Sequence, residues 1–154
     1  MLAPALLLAA LSGCEGLLND GDAEQTQQYR AALAKWKALN IDDYTFTFSL
    51  ACECGTDQEL RDVVVTVANG VVVSRVYEED PDEAAPEAIF GEYDTVEELF
   101  DIVAAGIAQD AEVLNVGYHP TFGLPLVFQV DPSSRVGNDY LIFEVVDFTP
   151  ATAP

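Results

Sequence analysis

Asn69-Gly70 stands between two valine-rich runs, Val63 to Ala68 and Val71 to Tyr77, and limits what this chain can fold into more than any other feature. Asparagine and glycine tolerate the two successive positive φ angles of a type I′ turn, whose twist matches that of the strands it joins. The valines favour extended backbone because a branched Cβ packs well on a pleated surface. A hairpin follows, and its two-residue turn sets the register. Ala68 is expected opposite Val71, and Val67, Val65 and Val63 opposite Val72, Ser74 and Val76. That face becomes the buried one, leaving Arg75 and Tyr77 on the other with Asp62 and Val64.

The segment ahead of the hairpin alternates cleanly: Tyr44, Phe46, Phe48 and Leu50 point one way, Thr45, Thr47 and Ser49 the other, as in a half-buried strand. Before it, Tyr29, Leu33 and Trp36 recur at helical spacing and predict a helix from about Glu24 to Leu39. Glu78 to Pro86 combines like charges with prolines and reads as a loop. Thr95-Val96-Glu97-Glu98 is a capping box. It opens a second helix with Val96, Leu99, Phe100, Val103 and Ile107 as its apolar stripe. Three more strands are expected at about Glu112 to Tyr118, Leu124 to Val130 and Tyr140 to Phe148. The order αβββ-αβββ predicts an α+β fold, a mainly antiparallel sheet with two helices on one face. It also raises the idea of a duplicated unit, which residue identity between the halves does not demonstrate.

The chain has 154 residues, half of them hydrophobic, which suits one domain with a single core, expected over residues 25–150 with a tail at 151–154. Leu2 to Leu11 is apolar but far short of the roughly 20 residues that span a bilayer. It ends in Leu11-Ser12-Gly13-Cys14, which resembles the lipobox of bacterial lipoproteins. The resemblance implies a signal peptide over residues 1–13, lipidation of Cys14 and a polar tether over 14–24. It places the protein in the bacterial cell envelope, anchored to a membrane by lipid, and Glu15 favours the outer membrane if the host is Gram-negative. Signal peptides begin with Lys or Arg and none precedes Cys14, which leaves a start upstream of Met1 open.

With 27 acidic against 6 basic residues, the net charge is −21. Such a surface repels phosphate backbones, so nucleic acid is not an expected partner.

Several strings together carry a family resemblance: Tyr44 through Cys52-Glu53-Cys54, Asn69-Gly70-Val71-Val72, Thr95-Val96-Glu97-Glu98-Leu99-Phe100, and Tyr118-His119-Pro120-Thr121-Phe122-Gly123-Leu124-Pro125, followed by Asp131 and Asp139. Over roughly Tyr29 to Pro150 the chain resembles family 6174 of the domains of unknown function. Members of that family are typically predicted lipoproteins or secreted proteins with a C-x-C pair after the first strand. The resemblance brings no assigned activity. This chain departs from the pattern at His119, where the family usually has Asp.

Cys52 and Cys54 are open to three readings: a local disulfide, buried free thiols, or a metal or redox site. In a regular strand residues i and i+2 lie on one face at the upper edge of what a disulfide spans, so a bridge needs a bend. If the strand runs on unbroken, both thiols face the core. A zinc site would need two further ligands, with His119 the strongest candidate. The acidic loop from Glu78 to Glu87 offers carboxylates for calcium but lacks EF-hand spacing. His119, the sole histidine, lies in a turn without a nucleophile-elbow serine nearby. Tyr118, His119, Phe122 and Leu124 surround Gly123 and two prolines and form a candidate interaction surface. The expectation is an envelope lipoprotein acting as a non-enzymatic protein-binding or structural module, without a cofactor and with an envelope protein as partner. A calcium- or zinc-binding module is the alternative, and a hydrolase the third reading.

Overall fold

A computed structural model describes residues 20–133 and 140–151; the apolar segment, Cys14 and Asp139 lie outside these. The elements are α1 (Asp20–Leu39), β1 (Tyr44–Cys52), β2 (Val63–Ala68), β3 (Val71–Tyr77), α2 (Glu87–Phe90), α3 (Val96–Ala108), β4 (Val113–Tyr118), β5 (Pro125–Asp131) and β6 (Leu141–Pro150). Six strands form one antiparallel sheet in the order β3-β2-β1-β6-β5-β4. Two points correct the sequence expectation. α1 begins within the segment read as tether, and a short third helix, α2, follows the acidic loop.

The helices form where local signals ask for them. Asn40, at φ 50°, ends α1 in the left-handed region that asparagine tolerates. At α3 the capping box is complete: Thr95 Oγ1 accepts from Glu98 N at 3.2 Å, and Glu98 Oε2 accepts from Thr95 N at 2.8 Å. The Tyr44 hydroxyl accepts a third N–H of this helix start, from Val96 at 3.0 Å, and so ties α3 to the central strand β1. Ala32 and Trp36 of α1 and Val96, Leu99, Phe100 and Val103 of α3 join one core with Phe46, Phe48, Val63, Val65, Phe128 and Phe143 of the sheet. Trp36 meets Tyr44 edge-on at 5.6 Å and donates from Nε1 to Glu97 Oε1 at 2.7 Å, which links α1 to α3. Both long helices therefore cover one face of the sheet.

The sheet order argues against duplication. The first half of the chain turns its first strand, β1, to the centre, whereas the second half turns its last, β6. Two copies of one unit would place equivalent strands at equivalent positions.

The type I′ turn is as expected, with φ 52° at Asn69 and 70° at Gly70. The register beyond it is not. Ala68 pairs with Val71 and Val67 with Val72, but Thr66 then pairs with Ser74, Val65 with Arg75 and Val63 with Tyr77. Val73 is the extra residue of a β-bulge and is 61% exposed. The bulge moves every later side chain of β3 to the opposite face, so Arg75 and Tyr77 join the core side instead of leaving it. Tyr77 is buried against Phe90 of α2, with ring centroids 6.2 Å apart.

Candidate functional site

The two edges of the sheet are treated differently. An exposed strand edge is a template for pairing, and proteins commonly blunt it with charge, proline, a bulge or a covering loop. β3 has most of these. It carries the bulge and Arg75, and the acidic loop lies along it: Tyr77 N donates to Glu83 O and Ala85 N to Arg75 O, each at 3.1 Å, and Val76 bridges to Ala84. The loop is pinned by Arg61, which pairs with Glu83 at 2.8 Å and stacks over the Tyr77 ring at 3.6 Å.

β4, Val113-Leu114-Asn115-Val116-Gly117-Tyr118, has neither charge nor proline. A groove of about 480 Å³ runs along it, walled by Glu24, Gln25 and Gln28 of α1, by Val103 and Ile107 of α3, and by Val127, Gln129 and Ile142 of the neighbouring strands. Asn115 and Gly117 from one face of β4 and Val116 and Tyr118 from the other line the same groove, an arrangement available only where the groove wraps a free edge. Gly117 contributes no side chain there, and Val127 leans over it, so that a Cβ would lie 3.0 Å from Val127 Cγ1. A second cleft of about 470 Å³ continues along Val116, Gly117 and Tyr118 to Lys35, His119 and Pro120. A third, of about 280 Å³, continues the other way to Asp110 and Glu112.

α1 is held beside this edge at two points. At the Leu114 end, Gln25 Nε2 donates to the Leu114 carbonyl. At the other end, Lys35 Nζ donates to the Pro120 carbonyl at 2.6 Å. The turn after β4 sits directly on the helix. Gly123 has φ 83°, and a Cβ there would lie 2.5 Å from the Ala32 carbonyl oxygen, so both backbone conformation and space require glycine.

The residues read as a surface around this turn divide. Leu124 is fully buried and forms part of the core beneath the turn. Phe122 is partly buried and packs on Phe148 at 5.1 Å, while Tyr118 stacks on Phe100 at 6.4 Å. Burial, reinforced by the neighbouring Tyr29, pushes the Tyr118 hydroxyl up to about 12. His119 serves its own turn, because its Nδ1 accepts N–H bonds from Thr121 at 3.1 Å and Phe122 at 3.2 Å and the backbone folds around the imidazole. Of the four, Tyr118 and His119 line the groove and its continuation. The groove's α1 wall has no sequence signature, because Gln25 and Gln28 give no signal as residue types until β4 lies opposite them.

Cys52 and Cys54 form a disulfide with Cα atoms 5.2 Å apart. The strand ends at Cys52 and the chain turns at Glu53, which supplies the bend. Cys52 packs against the core while Cys54 is exposed, so the two do not both face inward. The zinc set suggested by Cys52, Cys54 and His119 is not assembled, since the sulfurs are bonded to each other and His119 Nδ1 is occupied within its turn. Among the described residues, no group of three or more His, Cys, Asp or Glu side chains is placed to hold a metal ion. Nor, among them, is any helix long and apolar enough to cross a membrane.

A model of a family of unknown function (DUF6174) matches residues 28–150. The chain belongs to that family. No curated protein and no solved structure matches it. The DUF6174 match contains the whole sheet, α2, α3 and the His119 turn, and it begins within α1, after Gln25.

Proposed function

We propose that this DUF6174 domain is a non-enzymatic protein-binding module of the bacterial cell envelope, tethered by acyl chains on Cys14, with the groove between α1 and β4 as its binding surface. The observation that carries the reading is the contrast between the sheet edges: β3 is charged and covered by the acidic loop, whereas β4 is uncharged and borders an open groove. The groove suits polypeptide. Its floor is apolar at Ile107 and Val116, and its rim carries amides at Gln25, Gln28, Asn115 and Gln129 that donate and accept. The net charge of −21 disfavours nucleic acid as a ligand. The Leu11 to Cys14 pattern supports the anchor, and a diacyl group plus an N-acyl chain would exceed the two signals that stable membrane attachment needs.

A photo-reactive amino acid at Asn115, in the protein expressed in its native envelope, tests the binding reading. A discrete cross-linked protein from position 115, and none from Val73 on the closed edge, is the expected result. Equal cross-linking from both positions, or none from either, would overturn it. Intact mass tests the anchor: acyl mass at Cys14 is expected in the membrane fraction, and an unmodified full-length chain confined to membrane-free fractions would remove it.

A further inference from the structure

We infer that the β4 edge receives an extended, net-basic segment of a partner protein as an added strand, an inference that rests on the protein-binding reading above and specifies its chemistry. In an antiparallel pair each residue turns its N–H and C=O to the same side, and successive residues alternate. His119 turns its N–H to the Leu124 carbonyl and its carbonyl to the Gly123 N–H, both on the β5 side, and the Leu114 carbonyl accepts from Gln25 of α1, which sets that parity: Leu114, Val116 and Tyr118 direct their backbone groups into the groove. No described residue bonds the Val116 N–H or carbonyl there. The Gln25 side chain already places an amide N–H on this edge, as the backbone of an incoming strand would. Main-chain bonds of this kind supply affinity in strand addition, and pockets for alternate side chains supply specificity.

The groove offers such alternation. Because it wraps the edge at Gly117, side chains of an added strand would fall in turn toward Ile107 on the helix side and toward Val127 and Ile142 on the open face. Charge selects the occupant. Glu24, whose carboxylate also accepts from Gln28 at 3.1 Å, and Asp110 line the Val113 end of the groove and its continuation, whereas Lys35 lies at the far end and donates to the Pro120 carbonyl. Cationic side chains of the segment belong over the Val113 end. A second copy of this chain would bring the same acidic rim and another net charge of −21, which opposes self-pairing.

The test pans a display library of random linear peptides against the full chain in detergent, in parallel with the Val116→Pro variant. Proline removes an N–H that faces the groove and not β5, a position where a sheet edge tolerates it. Enriched peptides that are net-basic, weaken with added salt, bind the variant about tenfold or more weakly, and slow hydrogen exchange at the Val116 and Tyr118 amides of the wild-type chain would establish the inference. Exchange mapping on the wild type keeps the test decisive if the variant does not fold. No enriched peptide, or protection elsewhere than β4, would overturn it. So would dimerisation that Val116→Pro abolishes, or a Val116 amide that opens only on deleting the residues before Asp20, since the occupant would then be a second copy or the chain's own N-terminal segment. An envelope cross-link from position 115 that survives Val116→Pro would leave the binding module standing and remove strand addition alone.

Discussion

Arg75 and Asp94 form a two-pronged ion pair beneath the surface, Nε to Oδ1 at 2.8 Å and Nη2 to Oδ2 at 2.5 Å, with side chains only 13% and 6% exposed. The same guanidinium donates from Nη1 to the Ala85 carbonyl at 3.2 Å. Edge strand β3, the end of the acidic loop and the start of α3 thus meet at one side chain. The hydrogen bond to Asp94 holds the Arg75 guanidinium above its ordinary pKa, so it stays charged throughout the accessible range. Removing one partner leaves a poorly solvated charge, and Asp94→Ala is expected to destabilise the fold by about 3 kcal/mol. Replacing both, as Arg75→Met with Asp94→Leu, should cost less than either single change. Denaturant unfolding of the wild type, Asp94→Ala, Arg75→Met, Asp94→Leu and the double variant checks this, and a single-variant loss below about 1 kcal/mol would show the pair to be effectively solvated.

Two glycines with positive φ separate conformational cost from steric cost. A Cβ added at Gly70 would meet no heavy atom within 4 Å, so Gly70→Ala should cost about 1 kcal/mol from backbone conformation alone. At Gly123 the added carbon would lie 2.5 Å from the backbone oxygen of Ala32, and the turn must leave α1 to admit it. Gly123→Ala should cost more, about 2 to 4 kcal/mol. Thermal unfolding that ranks the two variants in the opposite order would contradict the docking of the turn on α1.

His119 works through an acceptor nitrogen toward the backbone N–H groups two and three residues on. An aspartate carboxylate makes bonds of the same kind. His119→Asp should therefore retain the turn, whereas His119→Ala should lose about 1 to 2 kcal/mol. Chemical shifts of the Thr121 and Phe122 amides, read beside stability, distinguish loss of these bonds from general unfolding.

Alkaline pH should unfold the protein through its tyrosines. Burial raises Tyr44, Tyr93 and Tyr118 above the ordinary 10.0, Tyr118 to about 12. The unfolded chain releases these phenolic protons near pH 10 while the folded chain keeps them. Stability from this source is complete below about pH 10 and falls as pH rises toward 12. Phenolate absorbance followed with circular dichroism should show these tyrosines ionising together with unfolding, and their titration near 10 in a folded protein would refute the burial.

Much of the fold follows from local pattern. Asn69-Gly70 dictates its turn because few residues accept two positive φ angles, and the capping box fixes the start of α3 because its partners lie three residues apart. The alternation of Tyr44 to Leu50 selects the buried face of β1. Asp131 likewise accepts from Ser133 N at 3.0 Å, a turn that needs nothing from elsewhere. The short helix α2 was less legible, since Glu87–Phe90 is a single turn that gains its place by burying Phe90 against Phe48 and Tyr77.

The sequence by itself determined which segments pair, curl or turn, because those choices are settled among residues a few positions apart. The tertiary structure alone decided the bulge at Val73, which local pattern disfavours. Its benefit lies far along the chain, in Asp94 for Arg75 and Phe90 for Tyr77. It decided likewise which strand became the open edge. Nothing in Val113–Tyr118 distinguishes an edge from an interior strand until β1 and β6 pair at the centre and leave β4 outermost beside Gln25 and Gln28.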